Sequence, residues 1–165
     1  MNYAKIVPCD IANGEGVRVT LFVQGCDHHC PGCQNPTTWN AAAGIPFVED
    51  TMQELLDLLR PNYIRGLTFS GGDPLFVQNR LIVGYICARV RKEFGDAKDI
   101  WMWTGYEWDD IKDWNHLKYV DVLVDGPYIE AQRDISLPWA GSRNQRVIDV
   151  KQSMKKNEIV LWKEN

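Results

Sequence analysis

Short apolar, β-branched runs alternate along this chain with stretches of helical periodicity, and that alternation restricts the fold more than any other feature. Residues 17–23 (VRVTLFV), 64–70 (IRGLTFS), 99–104 (DIWMWT) and 120–125 (VDVLVD) read as strands. Residues 49–60 place Met52, Leu55, Leu56 and Leu59 on one helix face, stopped by Pro61 and Asn62. Residues 78–94 form a second helical stretch closed by Gly95, and residues 107–117 a third. Residues 145–150 (QRVIDV) offer a fifth strand, and the tail adds a short helix near 152–156 and an apolar strand at 159–162. Strands alternating with helices build a parallel sheet with right-handed crossovers. A complete eight-unit barrel takes about 250 residues, and this chain has 165. The expectation is an α/β fold: a partial, open (β/α) barrel, in a single domain spanning 1–165.

A chain of this size buries enough core to fold without disulfides, and seven Trp and six Tyr argue against disorder. The net charge of -4 gives no electrostatic reason to expect a nucleic-acid partner. No run approaches the ~18 apolar residues of a membrane helix, and the first ten residues lack the basic start and apolar run of a signal peptide. The expected setting is the cytoplasm, without membrane attachment. There the cysteines gain meaning: five is an odd number, and three of them fall within eight residues. In a cytosolic chain that points to metal or redox chemistry rather than a disulfide framework.

The three are Cys26, Cys30 and Cys33, a C-x3-C-x2-C spacing directly after the first strand. Three soft thiolates in one loop suit iron–sulfur or zinc. Three protein ligands on a four-iron cluster leave one iron open, as a catalytic metal requires. The competing reading is zinc completed by His28 or His29. Zinc sites usually pair two ligand couples across a longer spacer, and no second couple exists: Cys9, Cys87 and His116 are isolated. Cys87 sits in an apolar helical stretch and reads as a small core residue.

Later strands also end in candidate site residues. Gly71–Gly72–Asp73–Pro74 follows the second; its glycines let backbone approach a ligand closely, and Asp73 can accept hydrogen bonds from an ammonium group. The bland alternative is a β-turn. Gly32 and Gln34 flank Cys33 and are expected against the cluster and its ligand. Thr104 and Asp125 end the third and fourth strands, either lining the same mouth or serving as cap and turn residues. Trp101, Trp103, Tyr106, Trp108 and Trp114 read mostly as core packing. In parallel α/β folds ligands bind at the C-terminal ends of the strands, so the order of the motifs brings the cysteines and the glycine loop to one mouth.

The cysteine spacing after an apolar strand resembles the cluster motif of the radical S-adenosylmethionine superfamily. The ordered set of segments resembles, more narrowly, the activating proteins of anaerobic ribonucleotide reductase. That set comprises Asp10-Ile11-Ala12-Asn13-Gly14, Thr20 through Cys33, Ser70 through Pro74, Trp103-Thr104-Gly105-Tyr106, Val122 through Gly126, and Ser142 through Val150. The resemblance implies a partial barrel of the radical SAM type, a 4Fe-4S cluster on Cys26, Cys30 and Cys33, and S-adenosyl-L-methionine bound at its open iron. Gly71, Gly72 and Asp73 would hold the amino group of that cofactor. Many superfamily members carry Glu at the position of Asp73 and an aromatic residue at that of Gly32; the ribonucleotide-reductase branch resembles this chain in both. The implied activity is reductive cleavage of S-adenosyl-L-methionine to a 5′-deoxyadenosyl radical, which generates a glycyl radical on the large subunit of anaerobic ribonucleotide reductase. Reduced flavodoxin or a similar donor would supply the electron. The alternatives are a radical enzyme acting on another glycyl-radical enzyme or a small molecule, a zinc-binding module, and a simple electron carrier.

Overall fold

The computed structural model describes residues 1–163. Its elements are β1 (Asn2–Asp10), β2 (Val17–Val23), β3 (Ile45–Pro46), α1 (Glu49–Leu59), β4 (Ile64–Gly71), α2 (Arg80–Phe94), β5 (Asp99–Trp103), α3 (Trp108–Ile111), β6 (Val122–Asp125), β7 (Arg146–Asp149) and α4 (Val150–Lys156). The strands form one open sheet in the order β3-β1-β2-β4-β5-β6-β7. Neighbours within β2, β4, β5 and β6 run parallel. The flanking strands β1, β3 and β7 pair antiparallel. The molecule is thus a mixed α/β domain.

The parallel strands are the four read from the sequence, and their burial explains why they were legible. β2 is buried from Arg18 to Val23 and β6 throughout, the near-continuous apolar run of strands covered on both faces. α1 buries Met52, Leu55, Leu56 and Leu59, as its periodicity requires. α2 buries Val83, Ile86, Cys87 and Val90, which makes Cys87 a core residue.

The structure corrects the sequence reading in four places. The sheet is not parallel throughout, because the fifth expected strand, β7, returns antiparallel to β6. The stretch 107–117 is not one helix: α3 spans four residues and a separate 3-10 turn covers Leu117–Tyr119. The intervening Asp113-Trp114-Asn115 favours turn geometry, since Asp and Asn side chains compete for the helix backbone. The apolar tail at 159–162 forms no full strand, only a bridge between Ile148 and Leu161. Finally, β1 and the two-residue β3 paired with it have no counterpart in the sequence reading. The partly exposed pattern of β1 and its Pro8 blunt the strand signal.

One buried charge locks the central strands together. Arg18 of β2 is fully buried. Its guanidinium donates to the Thr68 hydroxyl at 2.7 Å and the Leu67 carbonyl at 3.0 Å, pairs with Asp99 at 2.5 Å, and lies over the Trp101 ring. It therefore ties β2 to β4 and β5.

Candidate functional site

Because β2, β4, β5 and β6 are parallel, their C-terminal ends share one edge, and the loops after them meet there. Cys26, Cys30 and Cys33 line a cavity at that edge together with Gly71, Gly72 and Asp73. Thr104, Gly105, Gly126 and Tyr128 also line it. The expected convergence of the cysteine loop and the glycine loop is therefore observed.

Main-chain bonds weld these two loops at their roots. The Gly72 amide donates to Val23 and the Asp73 amide to Gly25, each at 2.8 Å. The backbones run so close that a Cβ on Gly72 would lie 2.5 Å from the Gly25 carbonyl oxygen; any side chain there would force the loops apart. Asn79, buried at the entrance to α2, donates its side-chain amide to the carbonyls of both Gln24 and Asp73, at 2.8 and 2.9 Å. Nothing in the sequence singled out Asn79, because an Asn before a helix reads as a cap.

Asp73 is the centre of the site and is 1% exposed. Its carboxylate accepts from the Leu75 amide at 2.8 Å, the Gly105 amide at 2.9 Å and the Thr104 hydroxyl at 2.9 Å. The fourth partner is His28 Nε2, at 2.8 Å from Oδ2. Buried carboxylates need such donors, since an unpaired one is strongly disfavoured. The hydrogen bond to Asp73 raises the His28 pKa, against the opposing effect of burial.

Cys26, Cys30 and Cys33 are free thiols, each partly accessible, whereas Cys87 is buried and Cys9 exposed. Burial pushes the Cys26 thiol up to about 11. A metal centre would reverse this, because a coordinated thiol gives up its proton. Among the described residues no group of three or more His, Cys, Asp or Glu side chains converges into a ready cage. The donor chemistry nevertheless fits a cluster: three cysteines from one eight-residue loop line one cavity, and soft thiolates suit iron–sulfur.

The remaining expected residues divide. Gln34 and Thr104 line the cavity; Gly32 and Asp125 do not. Gly32, at φ +71°, backs against the Glu130 carboxyl group. Asp125 is buried behind the wall, where it accepts from the Trp108 amide at 2.8 Å and pairs with Arg146 at 2.5 Å. Thr104, as described, is tied to Asp73. Of the aromatic set, Trp101 and Trp108 are core, while Trp103 reaches the cavity. Asn13, Tyr128 and Gln145 also line it; Asn13 and Gln145 lie in segments that carried the resemblance, but no spacing rule marks them.

Comparison with known proteins assigns this chain to a family. The chain belongs to the 4Fe-4S single cluster domain family, whose model matches residues 12–148. Within that class it belongs with the anaerobic ribonucleoside-triphosphate reductase-activating proteins. The relative from Enterobacteria phage T4 is 50% identical over 147 residues, covering 89% of this chain and 93% of the relative. Those of Haemophilus influenzae and Escherichia coli K12 are 46% and 42% identical, each over 88–89% of this chain and 96–97% of theirs.

Proposed function

We propose that this chain is the activase of an anaerobic ribonucleotide reductase, holding a 4Fe-4S cluster on Cys26, Cys30 and Cys33 and binding S-adenosyl-L-methionine beside it. The observation that carries the reading is the shared cavity: the three cysteines and the Gly71–Gly72–Asp73 loop line it together, in a chain whose relatives are named as activating proteins of that reductase. When bound, the cluster supplies the electron that cleaves S-adenosyl-L-methionine to methionine and a 5′-deoxyadenosyl radical.

The chain's own residues bind, orient and shield. The thiolates of Cys26, Cys30 and Cys33 hold iron and leave one position without a protein ligand. Gly71 and Gly72 present bare backbone to the cofactor's amino group. Asp73 already accepts from four protein donors, so its part is to fix the loop that carries those glycines, with its charge close by. Gln34 and Thr104 border the bound cofactor; Gly32 and Asp125 support the walls from behind. Holding reactants in place is itself a large share of catalysis, and the protein's role with such a cofactor is binding, orientation and exclusion of side reactions. The seven-stranded open sheet serves here as a partial barrel of the radical SAM type, whose open side admits a glycine-bearing loop of the reductase large subunit. A reduced flavodoxin or similar carrier is the electron source.

The test is anaerobic. Reconstituted, reduced protein mixed with S-adenosyl-L-methionine and the reductase large subunit gives a glycyl radical by electron spin resonance. An intact cluster that cleaves the cofactor yet yields no such radical points to another substrate and rejects the activase assignment.

A further inference from the structure

We propose that His28 is a positioning residue that clamps the cysteine loop onto the carboxylate of Asp73, so that the cluster loop and the cofactor loop move as one body. The inference rests on the activase reading for its purpose, although the clamp itself is a property of the polypeptide.

His28 lies between Cys26 and Cys30, on a loop that leaves the sheet after β2. Its Nε2 reaches Asp73 across 45 positions of sequence at 2.8 Å. Asp73 in turn is bonded to the Thr104 hydroxyl and the Gly105 amide at the end of β5. One imidazole therefore links the loops that follow three neighbouring strands. The ring is also gripped sterically. It meets Tyr106 edge-on at 4.7 Å, and a Cβ on Gly105 would lie 2.4 Å from it. That contact gives Gly105 a reason to be glycine that turn chemistry alone does not. The neighbouring His29 makes no comparable link: it is exposed, at φ +46°, with its ring beside Trp39.

The main-chain bonds described above hold only the root of the cysteine loop, at Val23 and Gly25. Beyond the root, His28 is the side chain that registers the thiols against the glycines facing them. Without it, Asp73 loses one of four donors and residues 27–33 gain freedom. Supporting residues of this kind, which orient a metal's ligands without touching the metal, alter affinity or activity by about 10–100-fold when removed.

The experiment compares the wild type with His28→Ala, His28→Gln, Gly105→Ala and the double variant His28→Ala/Gly105→Ala. The first readout needs no cluster: in the metal-free protein, hydrogen exchange at the Gly105 amide, which donates to Asp73, accelerates in His28→Ala while the amide of Phe69 in β4 is unchanged. The second uses the loaded protein. His28→Ala keeps its iron but binds S-adenosyl-L-methionine at least about tenfold more weakly, and His28→Gln, which retains an N–H donor, recovers most of that loss. Gly105→Ala, which presses on the ring, weakens binding in the wild-type background and adds little in His28→Ala, the non-additivity of two residues in contact. Unchanged Gly105 exchange together with wild-type cofactor affinity in His28→Ala overturns the proposal. So does a His28→Gln variant as defective as His28→Ala, which would mean that ring shape and not the hydrogen bond matters. If the wild type takes up no cluster or cofactor, the activase reading fails, and the exchange readout alone decides the clamp.

Discussion

A cysteine becomes an iron ligand only by losing its proton, and Cys26 is poorly placed to lose it unaided: burial holds its thiol at about 11. Binding of a cation must supply the difference, so cluster assembly and thiol deprotonation are one event. Each of Cys26→Ala, Cys30→Ala and Cys33→Ala is therefore expected to abolish iron–sulfur loading, read as loss of iron, sulfide and the brown colour after anaerobic reconstitution. Unfolding free energy of the metal-free protein should move by no more than about 0.5 kcal/mol, as these thiols are partly accessible and carry no core packing. Cys9→Ala, at an exposed position, should load like the wild type. Wild-type iron content in any of the three variants removes that residue from the ligand set. The thiols were legible in the sequence because their spacing is local. The saturation of Asp73 was not, since three of its four donors come from residues 45, 31 and 32 positions away, a distance over which one sequence carries no register.

At the scale of elements, the strands that the sequence declared are those buried on both faces, and the ones it hid or misjudged lie toward the edges. β1 and the tail are half-exposed and broken by proline or short pairing, so their apolar pattern is weak. The direction of β7 is set by its long connection from β6, which no periodicity records. Arg18 shows the opposite case: its charge sits in a run that reads as ordinary strand sequence, yet it organises three strands. Removing one member of a buried ion pair costs about 3–5 kcal/mol, because the partner is left uncompensated. Arg18→Ala should lower unfolding free energy by roughly that amount in urea titration. Arg65→Ala, which removes the exposed partner of the same Asp99, should cost less than about 1 kcal/mol. Equal effects from the two substitutions would show that the buried contacts of Arg18 contribute nothing beyond a surface pair.

For the whole molecule, parallel pairing of β2, β4, β5 and β6 does the functional arranging, by bringing four loops to one edge and leaving the sheet open at β3 and β7. Among the described residues no helix is long and apolar enough to cross a membrane. The α/β class and the meeting of the cysteine and glycine loops at one sheet edge were readable from strand–helix alternation and from where each motif fell relative to a strand end. The mixed direction of the sheet and the inward-facing network of His28, Asn79, Asp73 and Thr104 required three dimensions. The central claim is that three thiolates hold the cluster and one iron remains free for S-adenosyl-L-methionine. Electron spin resonance of the reduced, loaded protein tests it directly: addition of S-adenosyl-L-methionine is predicted to change the cluster's spectrum, and a spectrum that stays identical at saturating cofactor would contradict the account.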